Sequence, residues 1–282
     1  MQERTFLVGQ ERLAGTLWEP KGPPQAGLLL VHGFNSSAGE FGALPKALAD
    51  AGYHVLDFDQ RGYGRSEGEP GRTSVERAVE DVEAAAAMLR KEVGLDAPLG
   101  IVGHSLGGAY ALAALARTKL FRTGVVAHPV DRLFDELNPL EKAGYHAIGR
   151  WSEWRVRRGK PPGTIPYKNS YGSLFEDKAA AEQARRDGFL LGRVSLGNYR
   201  AALAMSASAW AKGVRQPVLV IASPTDRAVK PAHTRKVYDA LAGPKEMLLH
   251  KGGHSCFRDV DGPKLAQACV GWFGQHLLGA KP

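Results

Sequence analysis

Ser105 stands in Gly103-His104-Ser105-Leu106-Gly107, followed by Gly108, where the apolar run PLGIVGH (98–104) gives way to the helix formers LGGAYALAALA (106–116). A serine at a strand-to-helix turn between glycines suits nucleophilic attack on a carbonyl. The turn strains the serine backbone, so its neighbours must be small. The first amides of the following helix then face developing negative charge. A glycine-rich turn with no chemistry is the plainer alternative. A serine hydroxyl also needs a general base and an acid to orient that base. Asp226 follows the apolar run PVLVIAS (217–223), and His254 follows LLH (248–250). Both fall in loops beyond strand-like segments, where parallel sheets assemble their sites.

Each partner has another reading. SPTD (223–226) resembles a helix-capping segment ahead of Pro231, and His254 alone suits a surface loop. Asp131, just beyond VVAHP (125–129), is the rival acid. Two backbone amides are expected to hold the oxyanion. Leu106 follows the nucleophile directly, and Phe34 lies in the His32-Gly33-Phe34 turn. No metal is expected, because His128, His233, His250 and His254 show no short ligand spacing. No cofactor is expected, and DFDQRGYGRSEGEPG (57–71) does not satisfy a dinucleotide-binding pattern.

The elements that must position these residues follow from apolar runs and their punctuation. One or two strands are expected over residues 3–18, then strands near 26–32, 53–59, 98–104, 123–129, 217–223 and 245–250. Helices are expected near 40–51, 74–92, from 106, over 231–242 and over 261–278. Near-continuous apolar strands alternating with helices imply a mostly parallel sheet covered on both faces. Between 129 and 213 the rhythm breaks, as in GRWSEWRVRRGKPPGTIPYKNSYG (149–172). This predicts a core of 1–129 and 213–282 with a partly helical cap, 130–212, inserted between its halves.

The 282 residues, 44% hydrophobic and 23% charged, suit one large folded domain with an insertion. The net charge of +8 favours weak encounter with anionic surfaces. The basic run Arg150, Arg155, Arg157, Arg158 and Lys160 lacks the interleaved motifs of a nucleic-acid binder. Cys256 and Cys269 form no disulfide framework and read as isolated thiols. No run approaches the roughly 20 apolar residues that span a bilayer. The N-terminus lacks the apolar core of a secretory signal, so the cytoplasm is expected.

Taken together, HGF (32–34), DFDQRGYGRSEG (57–68), GHSLGG (103–108), PTDRAV (224–229) and GGHSCF (252–257) resemble the α/β-hydrolase family. The likeness is to its branch of monoacylglycerol lipases and small esterases. It implies the α/β-hydrolase fold and a triad of Ser105, Asp226 and His254. The implied substrate is a small ester or lipid-like molecule with an apolar acyl chain. It also implies that Asp59, Arg61, Gly62, Gly64 and Ser66 build a structural loop beside the site. The cap residues Phe134, Leu137, Leu140, Tyr145, Ile148, Trp151, Trp154, Tyr167, Tyr171 and Phe175 either pack the cap down or line an acyl pocket. Thioester hydrolysis, acyl transfer and noncatalytic ligand binding are the alternatives on the same scaffold.

Overall fold

The computed structural model describes residues 1–69, 74–166, 171–196 and 205–279. The chain begins with a hairpin, β1 (Gln2–Val8) and β2 (Glu11–Trp18), turned at Gly9, whose φ is +62°. There follow β3 (Ala26–Val31), α1 (Leu44–Asp50), β4 (Tyr53–Phe58), α2 (Val75–Val93), β5 (Leu99–His104), α3 (Leu106–Arg117) and β6 (Phe121–Ala127). The segment after β6 carries α4 (Pro139–Val156), β7 (Thr164–Pro166), α5 (Tyr171–Leu174), α6 (Lys178–Asp187) and β8 (Arg193–Ser195). The chain then runs through α7 (Ala207–Ala211), β9 (Val218–Ala222), α8 (Pro231–Ala240), β10 (Lys245–Leu249) and α9 (Gly262–Leu278).

Eight strands form one sheet in the order β1-β2-β4-β3-β5-β6-β9-β10, and β7 and β8 pair separately. The β1/β2 and β2/β4 pairs are antiparallel, and the remaining pairs of the large sheet are parallel. Strands β3, β4, β5 and β9 are buried along their whole length, as their unbroken apolar runs require. One face of the sheet packs on α2, α3 and α7 through residues such as Val82, Leu89, Tyr110, Leu112 and Ala211. The other packs on α1 and α9 through Leu44, Leu48, Leu265, Trp272 and Phe273. This is the α/β-hydrolase fold, a mostly parallel sheet between helices with a helical cap region inserted.

Chain direction in the sheet reverses at β3. The chain steps from β3 to β4 on one side and returns to β5 on the other. Such a switch point opens a crevice at the carboxyl ends of the two strands. The turn after β3 and Ser105 after β5 both lie there.

Two expected elements differ in the structure. The helix expected over 40–51 is split into a 3-10 turn at Ala38–Phe41 and α1, because Gly42 between them has a φ of +54°. Within the expected partly helical cap, the first part of the tryptophan- and arginine-rich stretch, residues 149–156, is the C-terminal half of one long helix, α4, that was not located from the sequence. Only Gly149 and Ser152 of α4 are buried, so the helix has no apolar stripe to reveal it. Its start is set locally, with Asn138 and Glu141 each accepting the other's backbone N–H at 2.9 Å.

The cap aromatics divide. Tyr171, Phe175 and Phe189 form a small cluster with Ala181 and Ala184, whereas Leu140, Ile148, Trp151 and Trp154 are exposed. Leu137 and Tyr145 are half-buried. Tyr167 and the side chain of Phe134 lie outside the described residues. Late in the expected cap range, Met205, Ala207 and Ala211 pack with the main core. Among the described residues, no helix is long and apolar enough to cross a membrane.

Candidate active site

Ser105 has φ +55° and ψ −119°, a conformation that L-residues rarely adopt and that costs about 1–3 kcal/mol. Its surroundings hold it there. The Ser105 N–H donates to the Ala127 carbonyl at 2.8 Å. A Cβ on Gly107 would fall inside the carbonyl oxygens of Val31 and His32, and one on Gly103 would strike the Gly107 carbonyl. The glycines therefore let α3 press against the ends of β3 and β5. A Cβ on Gly33 would lie 2.9 Å from the Ser105 Cβ, so the turn carrying Phe34 also passes close to the serine.

The β9–α8 and β10–α9 loops converge on the same point. His254 Nε2 lies 3.0 Å from Ser105 Oγ, and its Nδ1 lies 2.8 Å from Asp226 Oδ2. All three residues are buried. Asp226 Oδ1 accepts the N–H groups of Ala228 at 2.8 Å and Val229 at 3.0 Å. Burial alone raises the Asp226 pKa. The adjacent His254 and His128 outweigh it and hold the carboxyl well below the ordinary range.

Asp131 does other work. Its Oδ1 accepts the N–H and hydroxyl of Ser208, each at 2.9 Å, at the start of α7, and Lys236 Nζ lies 3.2 Å from its Oδ2. Leu106 is buried at the head of α3, and half-buried Phe34 packs its side chain against the main core.

A family model described as serine aminopeptidase, S33, matches residues 22–261. The chain belongs to this family of α/β-hydrolases. It is similar to an uncharacterised abhydrolase domain-containing protein of Dictyostelium discoideum, 26% identical over 245 residues. That match covers 85% of this chain but only 25% of the relative, so the chain spans a quarter of that protein's length. Mouse monoglyceride lipase is 31% identical over 110 residues, 39% of this chain and 36% of the lipase. Among solved structures, the monoacylglycerol lipase of Paleococcus ferrophilus superposes with a TM-score of 0.77 at 24% identity, covering 94% of this chain and 99% of that one.

In this S33 member, residues outside the expected triad and oxyanion pair support the site, some of them in the loop expected at Asp59–Ser66. Glu40 Oε2 accepts the Gly33 N–H at 2.6 Å, and its Oε1 lies 3.0 Å from His104 Nδ1. His104 Nε2 lies 2.7 Å from the His254 carbonyl oxygen, so the turn after β3 is tied to the histidine loop. Burial pulls the Glu40 pKa up and the His104 pKa down, but their mutual attraction reverses both, leaving Glu40 lowered and His104 raised. Asp59 accepts the Ala38 N–H at 2.8 Å and the Arg65 N–H at 3.0 Å, fixing the turn that carries Glu40. Arg61 is buried in ion pairs with Asp81 and Glu80, and Ser66 Oγ accepts the Ala14 N–H at 2.9 Å. Asp259 accepts N–H groups from Gly253 at 2.6 Å, Glu176 at 2.7 Å and Asp177 at 3.0 Å. It thereby pins the His254 loop to the cap.

Spacing along the chain hides one cluster. Ligand atoms of His128, His250 and Cys256 approach within 4.8 Å of one another, as do those of His128, Asp226 and His254. The first set suits a metal poorly. The Gly252 N–H donates to His250 Nδ1 at 3.1 Å, which requires a lone pair on that nitrogen. A neutral imidazole binding metal through Nε2 would carry its proton at Nδ1, against that donor. Burial also pushes the Cys256 thiol well above its ordinary pKa, which disfavours the thiolate a metal needs.

Proposed function

We propose that the protein hydrolyses carboxylic esters bearing an apolar acyl chain, through Ser105, His254 and Asp226. The observation that carries this reading is His254, with one ring nitrogen 3.0 Å from the Ser105 hydroxyl and the other 2.8 Å from the Asp226 carboxylate. His254 Nε2 takes the hydroxyl proton as Oγ attacks the ester carbonyl. Asp226 fixes the imidazole tautomer and stabilises the imidazolium. The amides of Phe34 and Leu106 receive the oxyanion, and the helix-start position of Leu106 supports its share. His254 then protonates the departing alcohol. Water, activated in turn by His254, releases the acid and restores Ser105.

In this reading residues 1–129 and 213–282 carry the chemistry, and the segment 130–212 covers the acyl chain. An ester is favoured over a peptide amine because two buried carboxylates of the site, Asp226 and Glu40, are engaged already. Asp226 is filled by imidazole and backbone donors, and Glu40 by His104 and Gly33. The buried free thiols Cys256 and Cys269 suit a reducing compartment, and we assign the protein to the cytoplasm.

The deciding experiment is a series of esters from acetyl to long acyl chains, assayed with the wild type, Ser105→Ala, Asp226→Asn and Asp131→Asn. The expected result is Ser105-dependent turnover with a maximum at medium or long chains. Loss of the nucleophile should cost at least about 10³-fold in kcat, and Asp226→Asn about 10²-fold or more, with Asp131→Asn near wild type. Equal rates for wild type and Ser105→Ala at every length would end the reading. Selective loss in Asp131→Asn would move the acid to Asp131.

A further inference from the structure

Behind the Ser105–His254–Asp226 constellation lies a second pair of imidazoles that the proposed reaction does not use. His128, at the end of β6, and His250, at the end of β10, are both buried and 2.9 Å apart between their Nε2 atoms. His128 has a φ of +48°, an unusual backbone for a non-glycine residue, and its Nδ1 lies 2.6 Å from Asp226 Oδ2.

The protons in this chain are fixed by one backbone group. The Gly252 N–H points at His250 Nδ1, so Nδ1 must carry a lone pair. Neutral His250 therefore has its proton on Nε2 and donates it to His128 Nε2. His128 in turn keeps its proton on Nδ1 and donates to Asp226 Oδ2. Asp226 then accepts four N–H groups, two on each oxygen. Oδ2 takes those of His254 and His128, and Oδ1 takes those of Ala228 and Val229. A carboxylate has about four acceptor positions, and here all are filled.

We infer that His128 is a positioning residue for the triad acid, held in its donating tautomer by the chain Gly252–His250–His128. It gives Oδ2 a second N–H donor beside that of His254 and draws off part of its negative charge. This rests on the proposed role of Asp226, and it adds a group that acts through that acid.

The charged surroundings agree. The groups facing His128 are Asp226 from the β9–α8 loop, His250 and His254 from β10 and its following loop, and His104 from β5. The Cys256 thiol lies alongside. Burial outweighs Asp226 and brings the His128 pKa down to about 3. His250, facing Asp226, Asp259, Asp261 and His104, is also lowered, with burial again the largest cause. His128 thus stays neutral across the working range, and burial shifts His250 in the same direction. His128 donates one hydrogen bond and carries no proton through the cycle.

Two substitutions of similar polarity separate the ends of the His128 ring. Asparagine places an amide N–H where Nδ1 stood, keeping the donor to Asp226 and losing His250. Glutamine reaches the Nε2 position, keeping His250 and losing the donor to Asp226. For His128→Gln, Oδ2 becomes a stronger base toward His254. The acid limb of the kcat/KM profile should rise by about half a pH unit or more, and kcat should fall roughly tenfold with KM little changed. His128→Asn should restore both toward wild type. Equal behaviour of the two variants, or the reverse order, would overturn the inference. Long-range ¹H–¹⁵N correlation spectra of the unmutated protein give a readout that needs no substrate. His128 should be the Nδ1–H tautomer and His250 the Nε2–H tautomer from pH 5 to 9. The opposite tautomers, or titration of His128 within that range, would also overturn it. Because the spectra are independent of turnover, an absence of Ser105-dependent hydrolysis would remove the proposed function without deciding the tautomers.

Discussion

The elbow at Ser105 and the helix α4 of the cap are both sharply defined, by opposite means. At the elbow, almost every constraint comes from residues far along the chain. Ala127 holds the serine amide, the carbonyls of Val31 and His32 limit Gly107, and Asp226 and His254 arrive from separate loops. In α4 the constraints are local. Asn138 and Glu141 cap it, Pro139 starts it, and the guanidinium groups of Arg155 and Arg158 sit over Trp151 and Trp154 one turn away. A strained backbone with filled polar groups needs the whole fold around it, whereas a capped helix with paired surface side chains stands largely on its own.

The largest effect should come where the fold presses hardest on the elbow. In Gly107→Ala the new methyl has no room between α3 and the end of β3, where the obstacles are the backbone carbonyls of Val31 and His32 rather than yielding side chains. We expect a loss of more than about 3 kcal/mol in chemical denaturation, with ester turnover abolished. A glycine-to-alanine change of small cost here would mean that the two elements can separate, and that the elbow is less constrained than α4.

Asp259 comes next, because it joins the His254 loop to the cap, though not through α4. Its carboxylate takes N–H groups from Gly253, beside His254, and from Glu176 and Asp177 in the cap. Asp259→Ala leaves these donors without their acceptor. Stability should fall by about 2–4 kcal/mol in urea titrations, with kcat reduced as the His254 loop loosens. A stability loss with unchanged kcat would show that the cap is anchored here but the histidine is positioned by other contacts, of which His104 to the His254 carbonyl is the strongest candidate.

The same contrast explains what could be read from the chain. The central strands β3, β4, β5 and β9 were legible because each is a buried apolar run, and the positions of Ser105, Asp226 and His254 because each falls in a turn after a strand-like segment. Glu40, His104, Asp259 and the His128–His250 pair were not legible as a network. They meet through long-range packing, and no spacing along the chain encodes a 2.6 Å approach of Glu40 to the Gly33 amide. His128 lies within VVAHP (125–129), at the end of an apolar run, but the run does not say what its ring touches. Helix α4 escaped for the opposite reason. With only Gly149 and Ser152 buried, it lacks the period that reveals a helix, and its capping pair Asn138 and Glu141 is a weaker signal amid tryptophan and arginine. The expected helix at 40–51 was drawn too long because a single positive-φ glycine, Gly42, divides it.

The smallest effect belongs to the outer face of α4, and it tests the local half of the comparison. Trp154 is 48% exposed, and its main partner is Arg158, whose guanidinium carbon lies 4.1 Å from the ring centroid. Trp154→Ala removes one exposed cation–π pair, worth roughly 0.5–1 kcal/mol, and gains some helix propensity in return. The net change in unfolding free energy should stay within about 0.5 kcal/mol, and kcat on a soluble short-chain ester should be unchanged. A loss beyond about 1.5 kcal/mol would mean that α4 leans on the rest of the protein through Trp154. The cap helix would then be held as the elbow is, by distant partners, and the division between the two regions would fail.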